Sequence, residues 1–269
     1  MTYLDNAMSE EGGAARRDRE VASVSNAMRL IEVLGRADAL GVSELARELD
    51  LSKPAVDRLL STLMSGGYVE HVAEGRKYRL TMKLVAVANS IKDRTGLIEL
   101  ARPKLLQLAE MFRETVNLGT LHRGSIVYAD SIASRQVFRI EPMPGSEHPA
   151  YCTAMGKIVL AFSPSDQLDN YLRDFRPVPF TRFTATTAAE LRERIVKARI
   201  DGYAVDDGEL VEEVCCVAAP VLDPRGRAIA AISVTSIRST FTRSRDQITS
   251  AVVEAARQVS ASLAQAESR

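Results

Sequence analysis

The stretch VSELARELDLSKPAVDRLLSTLM, residues Val42 to Met64, decides the fold of the amino-terminal part of this chain. Leu45, Leu49, Leu51, Val56 and Leu59 recur at the spacing that lets two short helices bury a shared face at a steep angle. Ala46 is the small residue at the crossing. Asp50 takes the turn position where glycine is commonest, and Asp is among the few other residues that tolerate the left-handed backbone such a turn requires. Ser52 is expected to cap the second helix, and Pro54 sits in its first turn, where a missing N–H costs nothing. Val56, Leu60 and Leu63 continue the buried stripe, which leaves Lys53, Ala55, Asp57, Arg58, Ser61 and Thr62 pointing away from it.

The flanking segments extend the pattern. Ser23 to Gly35 is amphipathic, with Ala27, Met28, Leu30, Ile31 and Leu34 available to pack beneath the helix pair as a third helix. Gly66-Gly67 ends the helical run. Tyr68 to His71 reads as a strand, Glu74-Gly75 as a turn and Lys77 to Leu80 as a return strand, so a β-wing follows the helices. Residues 23–80 are therefore expected to form a winged helix-turn-helix. Ser52, Lys53, Ala55 and Arg58 would meet the major groove of DNA, with Arg58 able to fork onto a guanine, while Ser43, Thr62 and Arg76 would hold backbone phosphates.

The charge balance limits how such a module works. The chain carries 35 Lys and Arg against 35 Asp and Glu, so no global basic field attracts nucleic acid. Between Ser23 and Gly96 eleven basic residues face nine acidic ones, a surplus of two. Each phosphate contact contributes modestly and is screened by salt, so a weakly basic module is expected to act in two copies. No signal-peptide pattern and no membrane-length apolar run occurs, and the expected location is the cytoplasm. The three cysteines, Cys152, Cys215 and Cys216, fit a reducing compartment without a disulfide framework. His71, His122 and His148 have no metal-ligand spacing with them, so neither a metal site nor a cofactor is expected.

Residues 1–22 are polar and lack an apolar period, as a disordered tail would. Thr81 to about Arg94, within a linker of residues 81–96, reads as a helix whose apolar stripe of Met82, Leu84, Val85, Val87, Ala88 and Ile91 exceeds what one small domain covers. Its extra face meets either a second subunit or its own winged domain. From residue 97 to 269 the texture is mixed. Leu97 to Arg113 reads as helix, kinked or divided at Pro103, and Thr115 to Leu121 and Ser125 to Ile132 as a hairpin. Gln136 to Ile140 reads as a further strand and Glu141 to Pro149 as a loop. Thr153 caps a short helix through Phe162, and Ala188 to Ile200 forms another. Val214 to Val221 and Arg227 to Ser236 make a second hairpin, and Gln247 to about Ala264 a closing helix. The expected class is α+β in two domains, the second an antiparallel sheet flanked by helices.

From about Ser23 onward the chain resembles the isocitrate lyase regulator (IclR) family of bacterial transcription regulators. The likeness lies in SVSNAMRLI, SKPAVDRLLSTL, GGYV and KYRL of the winged part. In the second part it lies in Glu114 to Leu118 (ETVNL), Cys152 to Lys157 (CTAMGK), Gly202 to Glu209 (GYAVDDGE) and Cys216 to Val221 (CVAAPV). Leu222 departs from the aromatic or histidine usual there, and Ser236 stands where the family often has glycine. The resemblance implies a GAF-like effector domain joined by a helix to the winged domain, acting as a dimer or dimer of dimers on a partly palindromic operator. It also implies effector contacts at Ala154, Met155, Gly156, Asp206, Cys216, Ser233 and Thr235.

The residues are compatible with this. Thr153 at a helix start leaves backbone N–H groups for a carboxylate or other polar head. Cys216, Ser233 and Thr235 alternate on facing hairpin strands and can share one cavity, while Cys215 faces the other way. Asp206 either accepts from the ligand or closes the adjacent loop. Tyr151, Met155 and Phe138 form either an apolar wall or ordinary core. The expected function is a ligand-responsive repressor or activator of a catabolic operon, its effector an organic acid or acyl derivative. The competing class is a cysteine hydrolase on Cys152 or Cys216 with His122 or His148 as base, for which the spacing provides no triad.

Overall fold

In the computed structural model, residues 21–72, 76–88, 96–136 and 145–267 are described, and the chain divides into two compact units at residues 94 and 95. Residues 1–20 of the expected tail, the wing turn at Glu74-Gly75, the strand from residue 137 with Phe138, and the linker beyond 88 lie outside the described residues, while Ala22 of that tail opens the first helix.

The first unit is a trihelical core with a small sheet. Helices α1 (Ala22–Gly35), α2 (Val42–Leu49) and α3 (Lys53–Ser65) bury Leu30, Leu34, Leu45, Leu49, Val56, Leu60 and Leu63 together with Val69. Leu51 and Leu59 are half-buried around this core, whereas Met28, expected inside, is 58% exposed on the far face of α1. Asp50 is left-handed (φ 54°), and the N–H groups of Asp50 and Leu51 close the end of α2 on the carbonyls of Arg47 and Ala46. Strands β1 (Leu40–Gly41), β2 (Val69–Val72) and β3 (Lys77–Leu80) form an antiparallel sheet in the order β1-β3-β2. The two-residue β1 leaves no periodic signal in the sequence. A helix α4 follows, described over 83–88, with Val85 and Val87 exposed on it and Met82 exposed just before it.

The second unit is built on a six-stranded antiparallel sheet. Helix α5 (Leu97–Phe112) contains Pro103 without dividing there. Strands β4 (Thr115–His122) and β5 (Ser125–Ile132) turn through Arg123 and Gly124, both at positive φ. Strand β6 (Glu147–Pro149) occupies the end of the segment expected to be all loop, recruited by pairing to the edge of β5. A 3-10 turn (Ala150–Cys152) leads into α6 (Ala154–Ala161), α7 (Ser165–Arg173) and α8 (Ala188–Asp201). Strands β7 (Ala204–Asp207), β8 (Val214–Leu222) and β9 (Ala228–Ile237) complete the sheet in the order β6-β5-β4-β9-β8-β7. The closing helix α9 starts well before Gln247 and runs Arg238–Glu267, with a non-helical kink at Ser244.

Strand alternation sends successive side chains to opposite faces. Val116, Leu118, Val217, Ala219, Val221, Ile232 and Val234 point to one face, where α5 and α9 cover them. The other face carries Ile126, Tyr128, Ala218 and Ala231 and is covered by α6 and α8. On that second face polar residues appear among the apolar ones.

Candidate functional site

The exposed face of α3 carries the positions expected to meet DNA. Ser52, Lys53 and Arg58 are exposed and Ala55 is half-buried. Ser52 occupies the cap position with extended backbone, but its hydroxyl makes no capping bond and stays free on the surface. Lys53 and Pro54 open the helix instead. Thr62 is exposed with its hydroxyl donating to the Arg58 carbonyl at 2.9 Å, so a phosphate contact there requires it to rotate. Ser43 is exposed on the first turn of α2, and Arg76 is exposed at positive φ (52°) where β3 begins.

In the second unit the register brings two polar rows across the sheet face covered by α6. One row joins Thr115, Thr235, Cys216 and Asp206 on β4, β9, β8 and β7. The next joins Ser131, Asn117, Ser233 and Ala218 on β5, β4, β9 and β8. Cys216 lies 3.3 Å from the Thr235 hydroxyl and keeps accessible surface although helices cover its face of the sheet. Cys216, Ser233, Thr235 and Asp206 thus share one face. Cys215 points away from it, 3.3 Å from Asp207, into a cleft of about 570 Å³ lined by Arg238 and Thr242 to Gln247. The sheet separates that cleft from the polar rows.

Helix α6 forms the roof. Thr153 caps it, accepting from the Gly156 N–H at 3.1 Å, and Ala154, Met155 and Gly156 are all buried. Gly156 is required because a Cβ there would lie 2.1 Å from the Ala150 carbonyl oxygen. Tyr151 packs edge-on against Phe175 and bonds to Val178 within the buried core of this layer. Met155 lies over β4, its sulfur 3.0 Å from where a Gly119 Cβ would stand.

The thiols and the phenol of this face are held neutral by burial. Burial holds the thiols of Cys152 and Cys216 well above the ordinary range, with the nearby Asp206 adding to the effect. Burial likewise raises the Tyr128 phenol and lowers His148, which accepts or donates across 3.1 Å to Tyr128. Asp206 is pushed up to about 7 by burial, against the attraction of Lys157 and with the help of Glu209. One Asp206 oxygen accepts the Glu209 N–H at 2.7 Å, so it closes the adjacent loop, one of the two roles its position allows. Protonated thiols without a bonded base are poor nucleophiles.

Two features escaped the sequence reading. Lys157 is sealed from solvent and paired with Glu209, which also receives Arg194 at 2.5 Å; Lys157 donates to the Val205 carbonyl as well. Asn117 is buried and bonded to three hydroxyls. A lysine one residue after a buried helix turn, and an asparagine inside an apolar alternation, are the signals that could have marked them.

A winged helix-turn-helix unit followed by a sheet-and-helix unit enclosing a polar face defines a ligand-responsive DNA-binding regulator. Two family models match: the IclR helix-turn-helix domain over residues 23–73 and the bacterial transcriptional regulator IclR C-terminal domain over residues 89–261. The chain belongs to the IclR family of transcription regulators. It is 32% identical to the HTH-type transcriptional regulator KdgR of Escherichia coli over 91% of this chain and 95% of that one. The Thermotoga maritima IclR crystal structure superposes with a TM-score of 0.78 at 25% identity, covering 91% of this chain and all of the other. An IclR homolog from Microbacterium hydrocarbonoxydans, complexed with 4-hydroxybenzoate, shares the fold with a TM-score of 0.78 at 20% identity, over 91% and 99% of the two chains. The curated relatives are named as regulators, and this protein is a regulator, not an enzyme. No helix among the described residues is long and apolar enough to cross a membrane.

Proposed function

We propose that this protein is a cytoplasmic regulator of a catabolic operon that binds a partly palindromic operator as a dimer or dimer of dimers. DNA is read by Ser52, Lys53, Ala55 and Arg58, with Ser43, Thr62 and Arg76 on phosphates. The effector lies between α6 and the sheet, contacting Thr153, Ala154, Met155, Gly156, Asp206, Cys216, Ser233 and Thr235, and is an organic acid or acyl derivative. The observation that carries this reading is the pair of polar rows on an otherwise apolar, helix-covered sheet face. Buried polar groups are costly unless they serve structure or a ligand. The aromatic acid bound by the Microbacterium homolog supports the ligand class. A regulator's ligand must favour one state of the protein over another, since equal affinity for both shifts nothing.

The test is a gel shift on the DNA flanking the protein's own gene, run across a salt series, together with a metabolite screen by thermal stabilisation. A metabolite that both stabilises the protein and alters the shift is the expected result. Binding equal on flanking and random DNA, with no metabolite altering it, would defeat the reading.

A further inference from the structure

We infer that Asn117 sets the hydrogen-bond polarity of the sheet face covered by α6, so that it selects an acceptor head group, a carboxylate over its isosteric amide. This rests on the reading that the effector binds between α6 and that face. Asn117 is 1% exposed on a central strand, with Ser131 of β5 and Ser233 of β9 as its cross-strand partners. Its Oδ1 accepts from the Ser131 hydroxyl at 2.8 Å. Its Nδ2 is shared between Ser233 at 3.4 Å and Thr235 at 3.2 Å.

The backbone of β4 is already satisfied by its ladders on both sides, so the sheet does not require a carboxamide here. An apolar residue of similar volume would avoid the cost of burying an amide. What the amide does is fix three hydroxyls at once. A hydroxyl that accepts from an amide keeps its own proton to donate. With the amide nitrogen toward β9, Ser233 is poised as a donor, and Thr235 is as well when the Cys216 thiol, 3.3 Å away, donates to it. The reversed amide would present Oδ1 to them, consume both protons and leave a surface of acceptors.

Below about pH 7, where Asp206 holds its proton, the surrounding groups do not oppose an acceptor. Cys216 beside Thr235 is a neutral thiol, and one oxygen of Asp206 is occupied by the Glu209 N–H. Lys157, the buried cation of this layer, is bound to Glu209 and Val205, so selection of an acid here falls to oriented neutral donors.

The experiment uses the full chain at one pH below about 7, with acetate, pyruvate, benzoate and 4-hydroxybenzoate as probes, each beside its own amide, followed by calorimetry. At least one carboxylate is expected to bind wild type tenfold or more tighter than its amide. That ratio, and not affinity in general, should fall at least tenfold in Asn117→Asp, which turns the donor into an acceptor, and in Asn117→Val, which removes it without adding charge. Ser131→Ala, on the half-buried rim of the network, should lower the ratio by releasing the amide even where the Asn117 variants fold poorly. A wild-type protein that binds no carboxylate in preference to its amide overturns the inference. So does an unchanged ratio in the folded variants. If Ser233→Ala with Thr235→Val abolishes carboxylate binding while the Asn117 and Ser131 variants keep the ratio, the location stands and the role of Asn117 falls. Carboxylate binding that survives the Ser233 and Thr235 double variant overturns the location itself.

Discussion

Lys157 of α6 and Glu209, just beyond β7, form an ion pair whose side chains are 2% and 6% exposed. Removing one member of a buried pair leaves the other charge uncompensated, at a cost of roughly 3 to 5 kcal/mol. Glu209→Gln should therefore destabilise the second unit by about that much in urea unfolding. Lys157→Met with Glu209→Met should recover most of the loss, because Arg194 is partly exposed and can be hydrated. A double variant as unstable as the single one would show that packing, not charge, is at stake.

Asp206 gives a pH dependence with a definite sign. Its carboxyl is raised from 3.8 to about 7, so between these values the folded protein holds a proton that the unfolded chain has released. Stability falls as pH rises through that window and is level above it. Asp206→Asn should match wild type near the bottom of the window and be more stable above its top, by up to about 4 kcal/mol from a shift of roughly three units. Thermal melts across the window check this; parallel curves for the two proteins would rule it out.

Gly156→Ala should prevent α6 from seating. The added Cβ would meet backbone atoms of Ala150, which cannot move aside as a flexible side chain can. A loss of about 3 kcal/mol or more is expected, read as a lower melting temperature of the second unit. An unperturbed melt would mean that the 3-10 turn adjusts freely.

Arg58→Ala should weaken operator binding by about 1 to 3 kcal/mol while leaving the first unit folded, since the side chain is exposed on α3. Titrations on operator and on random DNA separate its roles. Equal losses on both would make Arg58 a phosphate contact.

The exposed apolar residues of α4 lead to an assembly prediction. Val85→Glu combined with Ala88→Glu should weaken self-association and operator binding together, measured by sedimentation and gel shift. An associated state unchanged by both substitutions would place the interface elsewhere.

Local chemistry determined the first unit almost completely. The i, i+3, i+4 spacing of Leu45, Leu49, Val56 and Leu60, the left-handed Asp50 and the Gly66-Gly67 stop all act within a few residues, so the sequence alone indicates them. The same holds for the β4–β5 and β8–β9 hairpins and for Thr153 at the start of α6. The alternation of Cys216, Ser233 and Thr235 was legible because two-residue periodicity assigns faces before any fold is known.

What depended on chain crossings was not legible. Strands β6 and β7 are too short to show a period and exist by pairing to β5 and β8. Helix α9 extends back to Arg238 with Phe241 of its first turn buried in the core beneath the sheet, and its kink at Ser244 leaves Gln247 looking like a start. The Lys157–Glu209 pair joins residues 52 apart, and the Asn117–Ser233 contact joins residues 116 apart. Only the order β6-β5-β4-β9-β8-β7 lays Asn117 beside Ser233 and Asp206 beside Cys216. The sequence determined which residues are polar on each strand; the sheet order, set by burial of both faces beneath helices, decided which of them meet.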